Sequence, residues 1–218
     1  YLRRWLEETP VFIAMKAEKL LASELPLKRV IREHRNEIWP SMLLTWFLSA
    51  GVVTVTLLTP SIMQSQYQYS AEDALIANST AIVFLTIGCI FWGWLADRIN
   101  VYRVLIIGAT LLAITSFYFY NNLPAPLTTT IVAYSLAGFS LGVVAMVPVV
   151  LVGLFPPAVR YSGFSFSYNI AYSIFGGFTP ILIALWMKKQ LMAPAYYLVA
   201  VSVIAIVLAF FLSSRKKV

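Results

Sequence analysis

Cys89-Ile90-Phe91-Trp92-Gly93-Trp94-Leu95-Ala96-Asp97-Arg98 closes one long apolar run, and Arg103 opens the next. Asp97 and Arg98 are the only acid–base pair lodged between two such runs. A helix rises about 1.5 Å per residue and the hydrocarbon core of a bilayer is about 30 Å thick, so roughly 20 apolar residues cross it. Both runs have that length. The charged hinge therefore reads as a short turn at a membrane surface.

The pattern recurs along the chain and predicts six spans, over residues 38–63, 74–96, 101–120, 127–155, 161–187 and 194–212. Backbone polar groups in lipid must be satisfied within the segment, so these are helices. The composition agrees. The 218 residues are 60% hydrophobic and 11% charged, with a mean hydropathy of +0.81, whereas a soluble domain is nearer a quarter charged. The expected fold class is an all-α polytopic membrane protein with six transmembrane helices.

Basic residues assign the sides. Arg3, Arg4, Lys16, Lys19, Lys28, Arg29, Arg32 and Arg35 precede the first span; Arg98 and Arg103 lie in the second-to-third turn; Arg160 precedes the fifth span; Arg215, Lys216 and Lys217 follow the sixth. The opposite loops hold only Lys188 and Lys189. The excess of Lys and Arg on the cytoplasmic side places both termini there. The formal net charge of +7 is thus a matter of membrane orientation, and no nucleic-acid partner is expected. Residues 1–37 read as a cytoplasmic linker with amphipathic helices: one after Thr9-Pro10 to about Ser23, another carrying Leu27, Val30, Ile31, His34 and Ile38 beside basic residues. Residues 38–213 form the bundle and 214–218 a basic cytoplasmic tail. The chain opens on Tyr1, not methionine, and upstream sequence is expected to be absent.

Enzymatic chemistry finds no purchase. His34 is the single histidine and lies in the linker; Cys89 is the single cysteine, in an apolar run. No catalytic residue, metal cluster or cofactor is expected. At hydrocarbon depth the spans hold no Asp, Glu, His, Lys or Arg. Counting about ten residues in from each end places Ser49, Thr54, Thr86, Ser140, Asn169 and Ser173 near the midplane, with Tyr168 and Tyr172 beside Asn169. Transporters bind substrates at that depth. For Asn169 two readings stand together: a substrate contact, or a hydrogen bond between helices. Gly138, Gly142, Pro148, Gly176, Gly177 and Pro180 are the positions where helices pack closely or bend.

Four stretches resemble the major facilitator superfamily, within it the metabolite:proton symporter group. They are residues 1–12, with Glu7-Glu8-Thr9-Pro10-Val11-Phe12; Gly93 to Arg98, similar to the superfamily's Gly-x-Leu-x-Asp-Arg loop; Phe155-Pro156-Pro157-Ala158-Val159-Arg160-Tyr161-Ser162-Gly163; and Tyr168-Asn169 followed by Phe175-Gly176-Gly177-Phe178-Thr179-Pro180. Where the superfamily loop continues Gly-Arg-Arg, this chain has Asn100-Val101-Tyr102 before Arg103.

The resemblance implies the central loop and C-terminal six helices of a twelve-helix carrier in a bacterial-type inner membrane. Its implied partners are the lipid bilayer, a missing N-terminal six-helix half, protons and a small-molecule substrate. Members of the group move proline and betaine, 2-oxoglutarate, citrate or shikimate with protons. Gly93, Asp97, Arg98, Arg103 and Arg160 become a cytoplasmic gating motif, in which Asp97 accepts hydrogen bonds from Arg98, Arg103 or a neighbouring helix end. The coupling carboxylate would lie in the other half. The competing reading is a self-contained six-helix channel or structural subunit.

Overall fold

The structure is a computed structural model and describes residues 26–215. The predicted helix before Ser23 and the last three residues lie outside that range. A short helix α1 (Pro26–Glu33) leads into six helices of membrane-crossing length and hydropathy: α2 (Arg35–Tyr67), α3 (Ala71–Arg98), α4 (Val101–Asn121), α5 (Leu127–Leu154), α6 (Arg160–Met187) and α7 (Ala193–Arg215). Six such helices were expected and six are present among the described residues. They overrun the apolar runs at several ends, because a helix continues beyond the hydrocarbon wherever a cap supports it. At α3 the Ser70 hydroxyl, four residues before the first predicted apolar position, accepts from the Asp73 N–H.

The linker differs from expectation. A single amphipathic helix was predicted through Ile38, but the helix breaks at His34 and α2 starts at Arg35. Val30 packs with Ile38, Phe155 and Val159, so α1 docks on the bundle beneath the α5–α6 turn. Outside that contact Glu33 pairs with Arg32 at 2.7 Å and Arg29 at 2.8 Å. Those hydrogen bonds, Arg32's first, hold the Glu33 carboxyl at about 2.

α2 and α5 are the most covered helices; α3 and α6 are the least. The most extensive contacts pair α3 with α5 and α4 with α7, and α2 runs between α6 and α7. The α3–α5 seam is built on small residues. A Cβ on Gly88 would overlap the Phe139 carbonyl, one on Gly138 the Ala81 carbonyl, and one on Gly142 the backbone of Gly88 and Cys89. The Trp92 indole N–H reaches the Phe139 carbonyl at 3.0 Å across this seam. Gly177 differs from these glycines, since a Cβ there meets nothing within 4 Å.

Three helices depart from α geometry, each just before a proline. α2 is a π-helix over Val53–Leu58 ahead of Pro60, α5 a 3₁₀-helix over Gly142–Ala145 ahead of Pro148, and α6 a π-helix over Tyr172–Gly176 ahead of Pro180. A proline lacks the N–H that would bond the carbonyl four residues back, and its ring crowds that carbonyl. Those carbonyls belong to Thr56, Val144 and Gly176, each inside its irregular segment. Gly176-Gly177 was expected to interrupt α6. The irregular turn ends at Gly176, and Gly177 is ordinary helix.

Candidate functional site

The π-turn of α6 lies against α2 one to two turns before the π-turn of α2, and the two helices touch there. Trp46 stacks on Phe175 with ring centroids 4.7 Å apart and planes 15° from parallel. A Cβ on Gly176 would lie 3.7 Å from the Ser49 Cβ, an ordinary van der Waals contact, so α6 passes close to α2 at Ser49. α7 ties the contact together. The Trp46 indole N–H donates to the Tyr197 hydroxyl at 2.7 Å, and that hydroxyl is 2.7 Å from the Thr179 hydroxyl. Thr179 also donates to the Phe175 carbonyl at 2.6 Å.

A second polar cluster lies where the α2 π-turn loosens the backbone. The buried Tyr134 hydroxyl on α5 donates to the Val55 carbonyl and contacts Asn78 Oδ1 on α3 at 2.7 Å. Thr59 donates to the Thr54 carbonyl at 2.8 Å, and its hydroxyl is 2.6 Å from that of Tyr120 on α4. A π-turn leaves carbonyls out of the i→i−4 pattern, and these hydroxyls supply partners that lipid cannot.

The predicted midplane residues divide between these surroundings. Asn169 and Ser173 are exposed on α6, with Tyr168 and Tyr172 half-buried beside them. The Asn169 amide N–H bonds within its own helix, to the Ser165 carbonyl at 2.7 Å and hydroxyl at 3.2 Å. The Tyr168 ring stacks on Phe164 at 5.4 Å and lies 5.7 Å from that of Tyr172. Ser49 joins this group through Gly176 and donates to the Trp46 carbonyl at 3.1 Å. Thr54 is fully buried in the π-turn, and its hydroxyl has no hydrogen-bond partner among the described residues. Thr86 is exposed on α3 and Ser140 buried in α5, each bonded back to its own helix at Ile82 and Leu136. Neither joins the α2–α6 group.

Trp46, Phe175, Thr179 and Tyr197 were missed by counting polar residues, as were Asn78, Tyr120 and Tyr134. The aromatic residues read as apolar packing in sequence. Pro60 and Pro180, each following a run that bends, were the available signal.

At the α3–α4 turn Gly93 is open, since a Cβ there meets nothing within 4 Å. The Arg98 guanidinium sits 4.1 Å over the Trp94 ring, one turn back on α3. Asp97 is exposed and makes no side-chain hydrogen bond or ion pair among the described residues, in contrast to the expected pairing. Arg98 at a helix end lies over the face of its i−4 aromatic neighbour, where the cation–π attraction holds it. Arg103 is exposed in the first turn of α4, and Arg160 donates to the Phe155 carbonyl at 3.1 Å.

Six membrane-length helices, small-residue seams and proline-linked irregular turns define a multi-pass membrane protein of the carrier type. The family model of the Major Facilitator Superfamily matches residues 16–218, and the chain belongs to that superfamily of transporters, not to an enzyme family. A protein of Staphylococcus aureus (strain COL) named as a proline/betaine transporter is 30% identical over 97% of this chain and 46% of its own length. The ectoine/proline transporter ProP of Corynebacterium glutamicum is 27% identical over 100% of this chain and 46% of itself. The glycine betaine/proline/ectoine/pipecolic acid transporter OusA of Dickeya dadantii is 30% identical over 97% and 44%. The chain thus spans about half the length of the curated relatives it matches.

Proposed function

We propose that this chain is one six-helix half of a proton-coupled secondary transporter for a small osmolyte of the proline or betaine type. It works by alternating access in a bacterial cytoplasmic membrane, with both described ends on the cytoplasmic side. The names of the relatives point to the substrate class. The observation that carries the reading is the uncovered face of α6. Ser162, Ser165, Asn169 and Ser173 recur at helical spacing along it, and Asn169 and Ser173 are exposed. An amide and hydroxyls facing hydrocarbon are costly. A polar face at that depth is favourable when it borders water and a second helical half.

In this account Asn169, Tyr168, Tyr172, Ser173 and Ser49 offer hydrogen bonds to a zwitterion's carboxylate. Thr86 contributes from the uncovered face of α3, and Thr54 and Ser140 stand behind the wall. No arginine is present at this depth to pair with a second carboxylate, which favours an osmolyte over a polycarboxylate. The coupling acid belongs to the other half. The π-turns of α2 and α6 give both helices bend points near the site, while Gly93, Asp97, Arg98, Arg103 and Arg160 gate the cytoplasmic end.

In the full-length carrier, Asn169→Ala should raise the KM for proline or betaine roughly tenfold while kcat changes little, because uniform binding is lost. Uptake kinetics at fixed pH check this. A wild-type KM in the alanine variant removes Asn169 from the site.

A further inference from the structure

α4 and α7 pack closely along most of their length, yet their cytoplasmic ends leave a cleft of about 460 Å³ between them. Asn100, Arg103 and Ile106 line one wall; Phe210, Ser213 and Ser214 line the other. The lining is graded by depth. Ile106 lies one turn deeper than Arg103, and Phe210 one turn deeper than Ser213 and Ser214. The charge is of one sign. Neither helix contains an Asp or Glu, Arg103 forms no ion pair among the described residues, and α7 ends at Arg215, which Lys216-Lys217 follow in sequence. Asn100 uses its side-chain oxygen to accept from the Tyr102 N–H, which leaves its amide N–H groups as further donors.

The outward faces of these helices also differ from that of α6. Below the cleft α4 exposes Ile107 and Ile114, and α7 exposes Val203 and Val207, with no polar stripe. Thr110, also exposed, turns its hydroxyl back to the Ile106 carbonyl. An apolar outer face belongs against lipid, so the cleft opens at the headgroup level of the inner leaflet.

We propose that this cleft is a binding site for a phosphate-bearing lipid: an anionic phospholipid whose phosphate is held by Arg103, Asn100 and Ser213 and whose acyl chain lies over Ile106 and Phe210. A phosphate oxygen takes charge-assisted hydrogen bonds from arginine, and the apolar floor distinguishes a lipid from a free phosphate ion. The site lies apart from the substrate face and does not depend on what the carrier moves.

The test is lipid retention by the full chain, read by mass spectrometry after exchange into mixed phosphatidylglycerol/phosphatidylcholine micelles. Phosphatidylglycerol should be retained in preference, and Arg103→Gln should weaken that retention roughly tenfold, the loss of one charge-assisted contact. Arg35→Gln removes the same charge from an exposed cytoplasmic position outside the cleft and should leave retention unchanged; Arg103→Lys should recover part of it. Equal retention in Arg103→Gln and the parent overturns the proposal, as does an equal loss in Arg35→Gln. Displacement of the lipid by millimolar inorganic phosphate overturns the lipid assignment, because it shows a site for the free ion.

Discussion

Gly138→Leu is expected to lower the thermal midpoint by roughly 6–12 °C, or to remove monodisperse protein altogether. Overpacking a tight interior costs about 1–3 kcal/mol when side chains can move aside. Here the obstacle is backbone: a Cβ at Gly138 would overlap the Ala81 carbonyl, and Gly88 and Gly142 interlock with Phe139 and Cys89 on the same seam. A leucine must therefore displace α3 from α5, the most extensive helix pair in the bundle. A cost near the top of that range moves the midpoint about 2–4 °C per kcal/mol in a chain of this size. Gly177→Ala supplies the control, since its Cβ enters open space; it should melt like the parent. Size-exclusion profiles and thermal unfolding in detergent decide the matter. A Gly138→Leu protein with parental stability contradicts the packing described.

Tyr134→Phe is the second large effect. The ring is fully buried and stacked on Phe119 at 4.7 Å, so phenylalanine keeps the packing and deletes only the hydroxyl. That hydroxyl serves the Val55 carbonyl in the α2 π-turn and Asn78 on α3. Leaving a buried acceptor unsatisfied costs about 1–3 kcal/mol, and the Val55 carbonyl in the π-turn is such an acceptor. The expected loss is about 2–3 kcal/mol, measured as a shifted unfolding midpoint. Asn78→Ala should destabilise less in the Tyr134→Phe background than in the parent, because the two residues share one network. Additive effects would show that they do not.

The six spans were legible because each is an apolar run near 20 residues, bounded by charge or by turn residues such as Asn121-Asn122 and Pro156-Pro157. Lipid allows few alternatives to a helix for such runs. The site was legible only in part. Counting depth found Ser49 and Asn169, and these do lie on the facing helices α2 and α6. Depth alone gives no azimuth. A π-turn adds a residue to the turn and rotates everything beyond it, so the faces of α2 past Val53 and of α6 past Tyr172 could not be read from a regular wheel. Thr54 accordingly falls inward, its hydroxyl without a hydrogen-bond partner among the described residues, where a regular count places it among cavity candidates. The aromatic links Trp46–Phe175 and Trp46–Tyr197 join residues more than 100 positions apart, which no local pattern encodes. The Asp97 pairing failed for a local reason, the attraction of Arg98 to Trp94.

The central claim is that this chain is one half of an osmolyte carrier and needs its counterpart. The direct test is uptake of labelled proline and glycine betaine into liposomes with an imposed inward proton gradient. The 218 residues alone should give no uptake above empty liposomes. The same chain continued at its N-terminus by a six-helix half should accumulate substrate, and collapse of the gradient should abolish the accumulation. Gradient-driven uptake by the 218 residues alone would contradict the account.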